Sequence, residues 1–255
     1  MTPLPYALDR TILIQAPRDV VFRYFSDTVR WARWWGAGSS IDPTRGGAVL
    51  IRYPGGVEVS GEVVEYAPPE RIAFTYGFRT GTPIPPGSSL VTIHLAEVPQ
   101  GTRVHLTHAF DAPAVRDEHV QGWRYQLSLF ANVVADEIHG GAATAVDAWF
   151  SAWAEADAAT RNATLASIAT PGVQMRDRFS CVEGLDDLSQ HIAAAQRFMP
   201  GVRIQRTGNV RHCQGTVVVD WTSSGANDQV QGRGTNVFVL EPGGRIASVT
   251  GFWSA

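Results

Sequence analysis

The chain has 255 residues, 44% of them hydrophobic and 18% charged, with a formal net charge of −3 at pH 7. Neither half carries the basic excess of a nucleic-acid binder: 12 Arg face 14 acids before Gly140, and 9 Arg face 10 acids after it. All 21 basic residues are Arg, which excludes Schiff-base catalysis, covalently attached pyridoxal phosphate and a P-loop lysine.

Taken in order, Leu8–Gln15 alternates as a strand, and Ala16-Pro17-Arg18-Asp19 then starts a helix with an early proline. Val20, Val21, Tyr24 and Phe25 give that helix its buried stripe. Beyond Trp31, Trp34 and Trp35, five strands are predicted: Ala48–Tyr53, Val57–Tyr66, Arg71–Phe78, Leu90–Glu97 and Arg103–Phe110. Pro54-Gly55-Gly56, Pro68-Pro69 and Gln100-Gly101 supply turns between them. A long helix from about Pro113 to Glu137 closes the half, with Trp123, Leu127 and Phe130 on one side.

The pattern changes at Gly140-Gly141. Ala142–Ala156 reads as a helix with Val146, Trp149, Phe150 and Trp153 on one face, and a second helix runs from Asp157 to about Ile168. Short extended pieces at Val173–Met175 and Phe179–Val182 precede a helix over Gly184–Met199. Four long strands finish the chain, at Val202–Val210, Thr216–Thr222, Gln229–Leu240 and Arg245–Trp253, with Gly243-Gly244 as the last hairpin turn. The expected class is α+β in two domains, residues 1–139 and 141–255: a helix-grip unit followed by a cone-shaped unit of helices and sheet.

No stretch approaches the roughly 18 apolar residues of a membrane span. The start, MTPLPYALDR, lacks a basic region followed by an apolar run. The expectation is a cytoplasmic protein with no membrane or nucleic-acid partner. Cys181 and Cys213 form neither a disulfide framework nor a zinc site. His94, His105 and His108 do not converge three ligands, because His105 and His108 have opposite strand parity. With no Gly-rich phosphate loop, HExxH, CxxC or G-x-S-x-G present, neither cofactor nor metal is expected.

In the first half IQAPRDVVFRYFSD, WW, GEVVEYAPPERIAFTY, VTIHL and LTHAF…HVQGWRYQLSLF together resemble the Aha1-type branch of the START-like superfamily. In the second half WAEAD, VQMRDRF, GLDDLSQHI, MPGVRI, DWTS, QGRGTNVFVL and GGRIASVTGFW resemble SnoaL-like members of the NTF2-like superfamily. The first resemblance implies a fold with an apolar pocket, in a family of ligand carriers, cyclases and a chaperone-stimulating module. The second implies a family of polyketide cyclases, ketosteroid isomerases, epoxide hydrolases and inert relatives.

Carried over by position, the isomerase pattern puts the general-base carboxylate on Asp177. Its phenol donor would fall on Trp149 and its second oxyanion donor on Asn236, whose amide still donates. His191, three residues after Leu188 and four before Ala195, borders the apolar helix face and is a candidate proton partner for Asp177. Strand parity groups Asn236 with Phe238, and Val249 with Gly251 and Trp253, as inward-facing sets. Trp149, Phe238, Val249 and Trp253 are therefore expected in a substrate pocket of the second half, with Trp34 and Trp123 in a pocket of the first. An epoxide-hydrolase set would need Asp177, Asp220 and Arg233 together.

The expected function is binding of a hydrophobic, polyketide-like or polycyclic molecule. Any catalysis would be cofactor-independent acid–base isomerisation or cyclisation in the second half. The alternatives are a non-catalytic carrier or sensor, and an interaction module, since NTF2-like sheets pair into homodimers.

Overall fold

The structure is a computed structural model that describes residues 3–225 and 227–254. The chain divides into two compact units, residues 1–135 and 136–255. In the first, β1 (Tyr6–Ile14) leads into α1 (Arg18–Arg23) and α2 (Thr28–Trp35). Then come β2 (Ser40–Ile41), β3 (Ala48–Arg52), β4 (Glu58–Ala67), β5 (Arg71–Tyr76), β6 (Ser89–Val98) and β7 (Gly101–Phe110), followed by α3 (Pro113–Ile138). The strands form one antiparallel sheet ordered β1-β7-β6-β5-β4-β3-β2, so the first strand closes a meander by pairing with the last.

The strand and helix periodicities do not mark helix α2, yet its signals are local. The Asp27 side chain accepts the Arg30 N–H at 2.8 Å and caps the first turn. The i, i+3, i+4 spacing of Trp31, Trp34 and Trp35 then buries three indoles on one face. Trp34 meets Phe130 of α3 at 4.8 Å between ring centroids, and Trp31 meets Phe74 of β5 at 5.7 Å. Along β7, His108 is fully buried while His105 faces solvent. Among the described residues no group of three His, Cys, Asp or Glu is arranged to hold a metal ion.

The second unit opens with α4 (Ala142–Ala154) and α5 (Ala158–Ile168), the latter capped by Asp157, whose side chain accepts the Thr160 N–H at 2.8 Å. β8 (Ala169–Arg176), β9 (Cys181–Glu183) and α6 (Leu185–Phe198) follow. The long strands β10 (Arg203–Cys213), β11 (Thr216–Ser224), β12 (Val230–Leu240) and β13 (Ile246–Trp253) complete it. The sheet order is β10-β11-β12-β13-β8-β9, antiparallel except for β13 against β8. That parallel pairing sets Val249 beside Met175 and Thr250 beside Arg176, so the end of β8 lies alongside the middle of β13.

Buried Arg161 binds the helices together. Its Nε donates to Ser189 on α6 at 3.0 Å and its guanidinium to the Glu155 carbonyl at 2.8 Å. On β12 the inward residues are Gly234, Asn236, Phe238 and Leu240, all buried. Among the described residues, no helix is long and apolar enough to cross a membrane.

Candidate functional site

The second unit encloses a cavity of about 430 Å³, within the size range of small-molecule sites. Asp177, His191, Asn236, Trp149 and Trp253 all line it, so two strands, one loop and two helices bring these five together. Trp221, Trp153 and Met175 extend its apolar wall. Phe179, Phe198 and Met199 also line it and are 68%, 85% and 45% exposed, giving a greasy rim where the cavity meets solvent.

Asp177 sits just past the end of β8 in a tight turn. Its Oδ1 accepts the Phe179 N–H at 2.7 Å, its own N–H donates to the Ser180 carbonyl at 3.0 Å, and its Oδ2 accepts the Trp253 indole at 3.3 Å. Asn236 lies on β12, directly across from Gly251 of β13. Its Oδ1 accepts the Trp221 indole N–H at 3.0 Å. An indole nitrogen only donates, so this contact fixes the amide orientation, and among the described residues its NH2 has no acceptor.

Gly251 keeps the space between the two polar groups clear. A Cβ there would lie 3.0 Å from the Asp177 Cβ and 3.1 Å from the Asn236 Oδ1. Gly234 does the same for the Trp221 ring, which a Cβ would approach to 2.5 Å.

His191 lies in the same cavity, but its hydrogen-bond partner is Ser180, whose hydroxyl is 2.9 Å from Nε2. Its ring also meets Trp153 edge-on at 5.9 Å. Ser180, which carried no signal as a lone serine in a short extended piece, thus links His191 to the Asp177 turn.

Phe238 and Val249 point to the inner face as their parity requires, yet they do not line the cavity. Phe238 is fully buried beneath Trp149, edge-on at 5.7 Å, and Val249 is 1% exposed beside it in register. Both are core because the sheet and α4 close over them. Asp220 does not join Asp177: it is exposed on the opposite face of β11, accepting from Thr235 at 2.6 Å and facing Arg211. The epoxide-hydrolase grouping is therefore not assembled.

The first unit holds a second cavity, of about 350 Å³, between α3 and the sheet. Trp123 lines it; Trp34 does not, because the tilt of α2 turns that ring into the core and presents Trp35 instead. Behind this wall a polar relay is fully paired. The Trp123 indole donates to His108 Nδ1 at 2.9 Å, so His108 Nε2 carries the proton and donates to Ser89 at 2.8 Å. Ser89 in turn donates to the Tyr76 carbonyl at 2.8 Å. Burial holds the His108 imidazole well below its usual titration range, and nearby His119 adds to the effect. This histidine is a neutral structural link.

Residues 15–135 match the family model described as activator of Hsp90 ATPase homolog 1-like protein, and residues 146–249 match the SnoaL-like domain model. Among solved structures, an AHSA1-like protein from Rhizobium etli is 31% identical over 51% of this chain and 81% of its own, with a TM-score of 0.42. A candidate isomerase of the SnoaL-like family from Agrobacterium tumefaciens is 24% identical over 44% of this chain and 96% of its own, with a TM-score of 0.43. No curated protein shows a significant match to the chain.

Proposed function

Because the chain joins an AHSA1-like domain to a SnoaL-like domain, we propose that it binds a hydrophobic, polycyclic or polyketide-like carbonyl compound and enolises it in the second unit. The observation that carries this reading is the meeting of the Asp177 carboxylate and the Asn236 NH2 at one apolar cavity, with Gly251 leaving the gap between them open.

In this mechanism Asp177 takes the proton from the carbon next to the carbonyl. The Asn236 NH2 donates to the enolate oxygen, where a fixed donor in a dry site is worth most. His191, backed by Ser180, gives a proton of its own at a second carbon for isomerisation, or at oxygen after ring closure, and solvent then carries the proton held by Asp177 back to the imidazole. Trp149, Trp221 and Trp253 supply the flat apolar walls that polycyclic molecules fill. No step calls for a cofactor.

A second reading, a carrier or sensor, draws on one feature. Both Asp177 oxygens already accept N–H donors, which leaves fewer lone pairs for a substrate proton. Native mass spectrometry of the purified protein, with extraction of any co-purifying molecule, separates the two. An unchanged ligand returned after incubation supports the carrier; a rearranged or cyclised product supports catalysis.

The same reading places the protein in the cytoplasm, where its two free, exposed thiols stay reduced. It also makes the outer face of β11–β13 the homodimer surface, since Val218, Val237 and Val239 are half-buried there beside 58% exposed Phe252. Light scattering at about twice the chain mass of 27.6 kDa is the expected result, and a Phe252→Glu chain should run as a monomer.

A further inference from the structure

Three large apolar side chains stand at the mouth of the second unit's cavity, each at a reversal of the chain. Phe179 sits in the turn that the Asp177 N–H closes on the Ser180 carbonyl. Phe198 and Met199 end α6, where the Val202 N–H bonds back to the Met199 carbonyl at 3.2 Å before β10 begins. Phe198, at 85%, is the most exposed large hydrophobic side chain among the described residues. Rings held in water are unfavourable, and an apolar patch around a cavity mouth marks a contact surface.

The charge beside these rings is of one sign. Arg178 and Arg197 are the chain neighbours of Phe179 and Phe198, and Arg178 Cζ lies 5.8 Å from the centroid of the Phe179 ring. Both arginines are exposed, and among the described residues neither makes an ion pair. Residues 188–219, from α6 through β10 into β11, hold four Arg and no Asp or Glu. The whole chain has a formal net charge of −3, so a positive rim is a local feature and not a reflection of composition.

Exposed rings set between unpaired cations match an anionic lipid surface, whose phosphates receive the guanidinium groups and whose acyl chains receive the rings. The rim residues project from two separate turns. Fluid acyl chains accept projecting rings without a shaped pocket, whereas a protein partner would have to supply one. We propose that this mouth docks on an anionic membrane surface, with Phe179 and Phe198 entering the interface and Arg178 and Arg197 at the level of the phosphates. An apolar ligand then passes between bilayer and cavity without crossing water. Docking of this kind needs no spanning segment. It rests on the reading of the cavity as a hydrophobic-ligand site and not on proton transfer at Asp177.

The test uses the full-length protein without ligand, so its failure leaves the enolisation reading to its own experiment. Co-sedimentation is measured with vesicles of phosphatidylcholine alone and of phosphatidylcholine mixed two to one with phosphatidylglycerol. The mixed vesicles should bind the protein at least about tenfold more tightly, and added salt should weaken that binding. Arg178→Gln combined with Arg197→Gln should weaken it about tenfold to thirtyfold. Phe179→Ser combined with Phe198→Ser should weaken it about tenfold or more.

Arg45→Gln combined with Arg103→Gln makes the same change of charge at exposed residues of the first unit and should bind as the wild type does. Melting curves show that each variant is folded, and the two exposed arginines carry the test independently of the phenylalanines. Equal binding to the two kinds of vesicle, equal losses in the rim and first-unit arginine pairs, or unaltered binding by the phenylalanine pair would each overturn the proposal. Absence of binding to either vesicle would also overturn it, and would assign the rim to a protein partner.

Discussion

The Trp221 indole N–H meets the Asn236 Oδ1 at 3.0 Å, and this single contact turns the amide so that its NH2 is left for a ligand. The two residues lie on neighbouring strands, and Trp221 also faces Trp253 edge-on at 4.8 Å, so the donor cannot easily swing away. Replacing Trp221 by Phe keeps most of the buried ring and removes the N–H. The expected cost is about 1 kcal/mol of stability. The freed amide should also lower turnover about tenfold, since a donor that can flip no longer awaits the oxyanion. Thermal melts and turnover on the same variant check both.

Gly251→Ala probes the gap between Asp177 and Asn236. The new Cβ needs both neighbours to give by a few tenths of an ångström. Overpacking of this kind costs about 1–3 kcal/mol, and the two polar groups should be driven apart. Ligand affinity and turnover should fall together; a variant with wild-type turnover would show that their spacing does not matter.

Much of this arrangement can be read from the residues alone. The alternation of β12 places Asn236 and Phe238 on one face, and the register with β13 brings Gly251 and Val249 opposite them. Parity, however, says which way a side chain points and nothing of how far the cavity reaches. Asn236 therefore opens to it, while Phe238 two residues on lies under Trp149. The pairing of His191 with Ser180 depends on the three-residue turn after Asp177, and no periodicity encodes that turn. Helix α2 was readable in principle, because Asp27 caps it and the three tryptophans repeat at helical spacing.

The relay through His108 predicts a pH dependence. Its folded-state range is depressed, so the unfolded chain binds more protons once pH falls below the ordinary value of 6.5. The stability it contributes is complete above that value and is lost as pH falls toward the folded-state range, by up to about 1.4 kcal/mol per pH unit for one proton. His119, depressed in the same direction, adds to the slope. Denaturant titrations of the first unit's transition between pH 7 and pH 5 should show this loss. His108→Gln should be less stable at pH 7 and show a shallower slope.

Arg161 predicts a purely structural effect. Arg161→Met removes the donors to Ser189 and to the Glu155 carbonyl and should cost about 2 kcal/mol in the second unit. The melting transition of the first unit should not move.

The central claim is proton removal by Asp177, and hydrogen–deuterium exchange measures it without knowledge of the natural ligand. An apolar bicyclic ketone such as 2-tetralone, incubated in D2O with the protein, exchanges the hydrogens beside its carbonyl, and NMR follows the rate. Asp177→Asn keeps an acceptor for the Phe179 N–H and should still bind the ketone. The account predicts faster exchange with the wild-type protein and a loss of about a hundredfold or more in the variant. Equal exchange by the two proteins, with ketone bound to both, would contradict it.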